Sequence, residues 1–130
     1  MHEAITPAGM APPNANYAQA TLVTNATRWL HMAGQVGVDT DGTVPPGVRA
    51  QARIIWRNID TLLAAASMSA DDIVSLTTYV VASAAGEGLA EAMAERDVYM
   101  AGRLVASTLL TVPALVRPEF LIEIVVIAAR

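Results

Sequence analysis

The sequence predicts an α+β sandwich, with two helices packed on one face of a mixed sheet of about six strands. Three observations carry that expectation. Two stretches have helical periodicity and are separated by strand-like runs, in the order βββαβαββ. The runs "IVSLTTYVV", "ASTLLTV" and "LIEIVVIAA" are rich in β-branched and aliphatic residues, as buried strands are. Finally, 54% of the 130 residues are hydrophobic and only 15% are charged, so much of the apolar surface must be covered by packing.

Along the chain, a short N-terminal strand leads into "TPAGMAPPNANYAQA" (Thr6 to Ala20), whose three prolines and small residues make it an irregular loop. Two strand-like runs follow, Ala20 to Thr24 and Trp29 to Gly34, joined by the turn-prone "NAT". "GVDTDGTVPPG" is a turn-rich connection. The clearest helix is Val48 to Ala66, where Val48, Ala52, Ile55, Ile59, Leu62 and Ala66 form an apolar stripe. "SMSADD" ends it, with Asp71 and Asp72 placed at a turn before the strand Ile73 to Val81. "ASAAGEG" is expected as a loop, and Leu89 to Met100 as a second helix with Leu89, Met93 and Met100 on one stripe. "ASTLLTV" and "LIEIVVIAA" close the chain as strands on either side of "PALVRP". No repeat is visible, and residues 1–130 are expected to form a single domain. The uncovered face of the sheet calls for a homo-oligomer.

Composition removes several kinds of chemistry. A net charge of −4 and no lysine argue against binding nucleic-acid phosphates. The absence of cysteine excludes disulfides and thiolate chemistry. His2 and His31 are the only histidines, too few for a histidine-rich metal centre, and His31 fits an ordinary strand position. No Gly-rich loop precedes a helix as a nucleotide fold requires. No signal peptide is expected, and the apolar runs fall short of a bilayer span. The expectations are therefore no metal, no organic cofactor, no nucleic acid, no membrane and a cytoplasmic location.

Glu123 is the residue that composition cannot absorb. In "EFLIEIVVIAA" (Glu119 to Ala129) it shares one strand face with Leu121, Val125 and Ile127, while Ile122, Ile124, Val126 and Ala128 share the other. Both faces are apolar, and a desolvated carboxylate is costly unless it is paired or hydrogen-bonded. From context alone two readings stay open: a structural acid with a partner, or a cleft acid that moves a proton or orients water.

Four segments in order, "NYAQA", "MAGQVGVDTDG", "QARIIWRNIDTLLAAASMSADDIVSLTTYVV" and "IEIVVIA", span nearly the whole chain. Together they resemble the signatures of the Rid family, also called YjgF or endoribonuclease L-PSP. The usual forms there are "GPYSQA", "SGQ" with a "DxxG" turn, a helix containing "Q...N", and "VEIEAIA". The resemblance implies a chorismate-mutase-like fold and a barrel-shaped homotrimer, with a small-molecule ligand bound in clefts between subunits. Archetypal members hydrolyse 2-imino and 2-enamino acids to 2-keto acids and ammonia without a cofactor. By the same resemblance Tyr17 lines the cleft, Gly34 and Gln35 contribute backbone to it, and Glu123 positions the attacking water. That favours a site over a structural acid.

The departures from the family pattern concern substrate binding. The archetype carries "PARS" before the penultimate strand, and its arginine clamps the substrate carboxylate through two hydrogen bonds. Here the segment is "VAST", with Ser107 in that place. Ala33 replaces the serine before "GQ", Arg96 aligns with a frequent Asn of the second helix, and Val125 replaces the second acid of "EIE". Arg96 continues the Leu89/Met93/Met100 stripe. Its head either reaches the cleft or snorkels outward, or pairs with Glu123 or a helical neighbour.

Two functions follow from these residues. One is a cofactor-free hydrolase of the imine or enamine deaminase type, acting on something other than a simple 2-imino acid. The other is a non-catalytic trimer that binds a small metabolite in the same cleft. Ribonuclease activity rests on the historical family label alone, with little electrostatic or stacking support in this composition.

Overall fold

The computed structural model describes residues 1–130. Its elements are strands β1 (His2–Ile5), β2 (Ala20–Val23), β3 (Trp29–His31) and β4 (Gln35–Val36), helix α1 (Val48–Ala65), strand β5 (Ile73–Val81), helix α2 (Ala85–Met100), and strands β6 (Ala106–Val112) and β7 (Ile122–Ala129). The α+β expectation holds, with two helices on a mixed sheet. The strands number seven, one more than expected.

In the main sheet, β7 lies between β5 on one side and β3 and β4 on the other, antiparallel to all three. Strand β6 pairs parallel to β5 and forms an edge. β1 and β2 make a separate antiparallel ribbon, so the two runs flanking "NAT" belong to different sheets rather than to one hairpin. Asn25 turns the chain there in the left-handed region, φ 61°, which asparagine tolerates better than most residues. The ribbon is tied to the sheet where the Ala106 N–H donates to Thr21 Oγ1 at 2.8 Å.

The extra strand comes from a break in the expected run Trp29 to Gly34. β3 stops at His31, opposite Ile127, and pairing resumes at Gln35, opposite Ile124. Four steps on one strand thus face three on the other, a one-residue bulge at Met32–Gly34. Bulges bend a strand and re-aim its backbone, and this one lies beside Glu123.

The core is one layer between helix and sheet. Val48, Ala52, Ile55, Ile59 and Leu63 of α1 are buried with Leu76, Val80, Ile122, Ile124, Val126 and Ala128. Burying each large aliphatic side chain contributes roughly 1.5–3 kcal/mol. Leu63, not the expected Leu62, completes the α1 stripe; Leu62 is exposed. The α2 helix begins at Ala85, four residues before the expected Leu89, because Gly88 lets its first turn close on Val48. A Cβ at Gly88 would stand 2.8 Å from Val48 Cγ2.

Between the helices, Trp56 stacks on Tyr99 at 4.5 Å, and Glu95 accepts from both Arg49 and Arg53 at 2.8 and 3.1 Å. Asp71 and Asp72 are structural, as expected. Asp72 accepts from the Ser69 N–H, and Asp71 pairs with Arg103 at 2.6 Å. No helix is long and apolar enough to cross a membrane.

Candidate functional site

The seven residues singled out in the sequence fall into two groups on opposite faces of the sheet. Strand register fixes this. Ser107 is the partner of buried Leu76 and so faces the helix layer, whereas Glu123 is the partner of Tyr79 and alternates with buried Ile122 and Ile124, so it faces away. β5 lies between their strands, and two strand spacings of about 4.8 Å add to the separation.

The first group is built by the N-terminal loop, α2 and β6. Ala18 is pinned beside β6 by its N–H bond to the Val105 carbonyl, 2.9 Å, and is almost wholly buried. That anchor places Tyr17 over the edge strand. Opposite it, the stem of Arg96 packs on the inner face of α2, and its guanidinium is buried with it, the side chain 7% exposed. Arg96 Nε and Nη2 donate to Asp97 Oδ1 at 3.2 and 3.0 Å, and Nη1 donates to Ser107 Oγ at 3.4 Å. Tyr17, Arg96 and Ser107, with Asn14, Met93 and Leu109, line a cavity of about 330 Å³. Arg96 therefore pairs with a helical neighbour, and it neither snorkels outward nor meets Glu123.

The second group surrounds Glu123 on β7. Its neighbours across the sheet are Tyr79 and Val36. The carboxylate is half-buried, takes part in none of the ion pairs of the chain, and lies directly on Gly34. A Cβ at Gly34 would sit 2.3 Å from Glu123 Oε2 and 2.7 Å from its Cδ. The glycine is thus required by the carboxylate, and the bulge at Met32–Gly34 brings it there. Ala33 is exposed; Gln35 is half-buried and donates its side-chain amide to the Ala33 carbonyl at 2.9 Å, which closes the bend.

Sequence reasoning missed Asp97, which orients Arg96 and is itself held by the Asn16 amide at 3.1 Å. The adjacent opposite charges in "ERDV" were the available signal. It also missed Asn14, and it assigned Met93 to a core stripe although that side chain lines the cavity. Gln51 was overlooked as well. It is buried, donating to the carbonyls of Pro45 and Glu119 and accepting from the Leu121 N–H, all at 2.9 Å, which fixes the approach to β7 two residues before Glu123. No three His, Asp or Glu side chains converge in a way that could hold a metal ion.

Comparison with known proteins agrees with this architecture. The family model described as Endoribonuclease L-PSP matches residues 8–130. A Yersinia pestis protein of the conserved Rid family has 31% sequence identity and a TM-score of 0.87, over 99% of this chain and 98% of that one. A Mycobacterium tuberculosis member of the YjgF/YER057c/UK114 family shares the fold at 24% identity and a TM-score of 0.66, covering 88% of this chain and 87% of that one. The Escherichia coli RutC family protein YjgH is 40% identical over 50 residues, which is 38% of either chain. With the matched model spanning nearly its full length, the chain belongs to the Endoribonuclease L-PSP family, the Rid or YjgF family.

Proposed function

We propose that the protein is a cofactor-free hydrolase of the imine or enamine deaminase type, working in clefts between the subunits of a homotrimer. The observation that carries this reading is the half-buried, unpaired Glu123 carboxylate resting on Gly34. An acid held in one place without a counter-ion is free to serve as a proton acceptor. The cavity at Tyr17, Arg96 and Ser107 lies on the other face of the same sheet. A complete site thus needs the Glu123 face of one copy set against the β6 edge of another. Half-buried Thr77, Tyr79, Val125 and Ile127 and exposed Leu110 give that face an apolar surface to bury.

In the proposed reaction Glu123 accepts a proton from water as the oxygen attacks the imine carbon. That proton passes to nitrogen to give a carbinolamine, whose hydroxyl proton then moves to nitrogen by way of Glu123 as the carbon–nitrogen bond breaks, and a carbonyl compound and ammonia leave. With Ser107 offering no guanidinium from β6, the 2-imino acids of ordinary amino acids are hydrolysed slowly unless another cation holds their carboxylate. The second reading, a non-catalytic metabolite-binding trimer, draws on that same serine.

Imines generated in situ with an amino-acid oxidase, their decay followed with semicarbazide, test the proposal alongside light scattering. The expected result is a trimer whose imine hydrolysis is lost in Glu123→Gln, while the melting temperature stays within a few degrees. A monomer at micromolar concentration overturns the shared cleft. Accelerated decay that survives Glu123→Gln overturns the role of the acid, and no acceleration with any imine leaves the binding reading.

A further inference from the structure

We infer that Arg96 is an anion-binding residue, supplying from helix α2 a two-pronged contact for the carboxylate of a ligand whose apolar side chain lies against Met93 and Leu109. This rests on the proposed cleft being the site of action, but the contact itself is argued from the guanidinium. That group is buried, and burying a cation is costly unless its donors are satisfied. A guanidinium has five N–H donors arranged along two usable edges. Asp97 Oδ1 occupies the side edge, taking Nε at 3.2 Å and Nη2 at 3.0 Å. The end edge, formed by Nη1 and Nη2, has one long contact, 3.4 Å to Ser107 Oγ. Three of the five N–H groups thus have partners, and one on Nη1 and one on Nη2 have none in the chain.

The end edge faces the cavity, because the serine it touches is a cavity wall, as are Tyr17, Met93 and Leu109. The parallel N–H groups of an end edge match the two oxygens of a carboxylate, which here would take the place of the long Ser107 contact. The contact is also held in advance. The Asn16 amide fixes Asp97 Oδ2 at 3.1 Å, and Asp97 fixes the side edge of Arg96, so little freedom is lost when the anion arrives. About 330 Å³ exceeds what a two- or three-carbon acid fills, and the thioether of Met93 and the branched end of Leu109 supply an apolar wall for a longer side chain. Ser107 is small enough to leave the guanidinium room. A long cationic side chain at 107 would compete for the same space, so arginine at 96 and serine at 107 act as a pair.

The test uses binding, which turnover does not enter. Titration of the full chain with 4-methyl-2-oxopentanoate and with its methyl ester, followed by calorimetry, compares ligands that differ mainly in charge. The wild type is expected to bind the acid at least tenfold more tightly than the ester. Arg96→Asn should lose that preference, and Arg96→Asn/Ser107→Arg should regain it by presenting the fork from β6. Equal affinity of the wild type for acid and ester, or no binding of either, overturns the inference without any variant being needed. So does an Arg96→Asn protein, folded by circular dichroism, that keeps the acid preference. Carboxylate binding that depends on Arg96 in a protein without turnover refutes the hydrolase and keeps this contact. Turnover with unchanged KM in Arg96→Asn does the reverse.

Discussion

Replacing Gly34 with alanine is a test of Glu123 that leaves Glu123 in place. The added Cβ would lie 2.3 Å from Glu123 Oε2 and 2.7 Å from Cδ, where ordinary contact begins at 3.4 Å. The carboxylate must therefore retreat by about 1 Å, a displacement that can cost on the order of a hundredfold in rate when it falls on a positioned catalytic group. The backbone has no reason to object. Gly34 is not among the positive-φ residues, and the position is exposed.

Alanine at such a glycine stabilises by roughly 0.4–1 kcal/mol through the unfolded chain, and pushing a glutamate off its rotamer costs about 0.5–1.5 kcal/mol. The two nearly cancel, so the melting temperature should move by roughly 4 °C or less. The assay is imine decay with semicarbazide, run on Gly34→Ala, Glu123→Gln and the double variant. If the methyl group acts by displacing the carboxylate, the double variant is no slower than Glu123→Gln alone. Wild-type kcat/KM in Gly34→Ala refutes the reasoning, and so does a full additional loss when it is placed on Glu123→Gln.

Two further outcomes follow from the buried polar groups. Gln51→Leu keeps the volume but strands the Pro45 and Glu119 carbonyls and the Leu121 N–H; at about 1–3 kcal/mol for each unsatisfied group, the melting temperature should fall by roughly 10 °C or more, and a loss under 3 °C would show that these bonds matter little. The Tyr99 phenol is pushed above its ordinary value of 10.0 by burial and by its hydrogen bond to Asp60. At alkaline pH the folded chain then binds more protons than the unfolded one, so this contribution is intact below about pH 10 and declines above it. Tyr99→Phe should flatten the alkaline fall of the melting temperature, and an unchanged profile would argue against it.

How far the sequence discloses the structure depends on whether a feature is periodic or local. The strand Ile73–Val81 and the last two strands stand where their alternation and apolar runs put them, because a buried face leaves its period in the residues. The start of α2 was not legible. Its glycines look like a loop, and only contact with Val48 shows that Gly88 is where the helix needs no side chain. Nor was the bulge at Met32–Gly34 legible, since "HMAGQV" carries no mark of which residue goes unpaired.

The same distinction governs the site. Glu123 was conspicuous because an acid interrupts an apolar period, and Tyr17, Gly34 and Gln35 were found by motif. Arg96 could be singled out but not aimed, since a side chain that long reaches several places from one helical position. What aims it is Asp97, one residue further on, together with Asn16, distant in sequence and adjacent in space. Asn16 opens the "NYAQA" segment and Asp97 lies in the second helix, but neither pattern marks them as partners of each other or of Arg96. Orientation at this site comes from pairwise polar contacts between elements that the chain brings together only on folding. The consequence is specific: Asp97→Asn, which keeps the shape of the pair but removes one negative charge beside Arg96, should tighten carboxylate binding, whereas Asp97→Ala, which releases the guanidinium, should weaken it. Tightening in both variants would mean that Asp97 acts only as a competing charge, and the positioning role assigned to it here would fall.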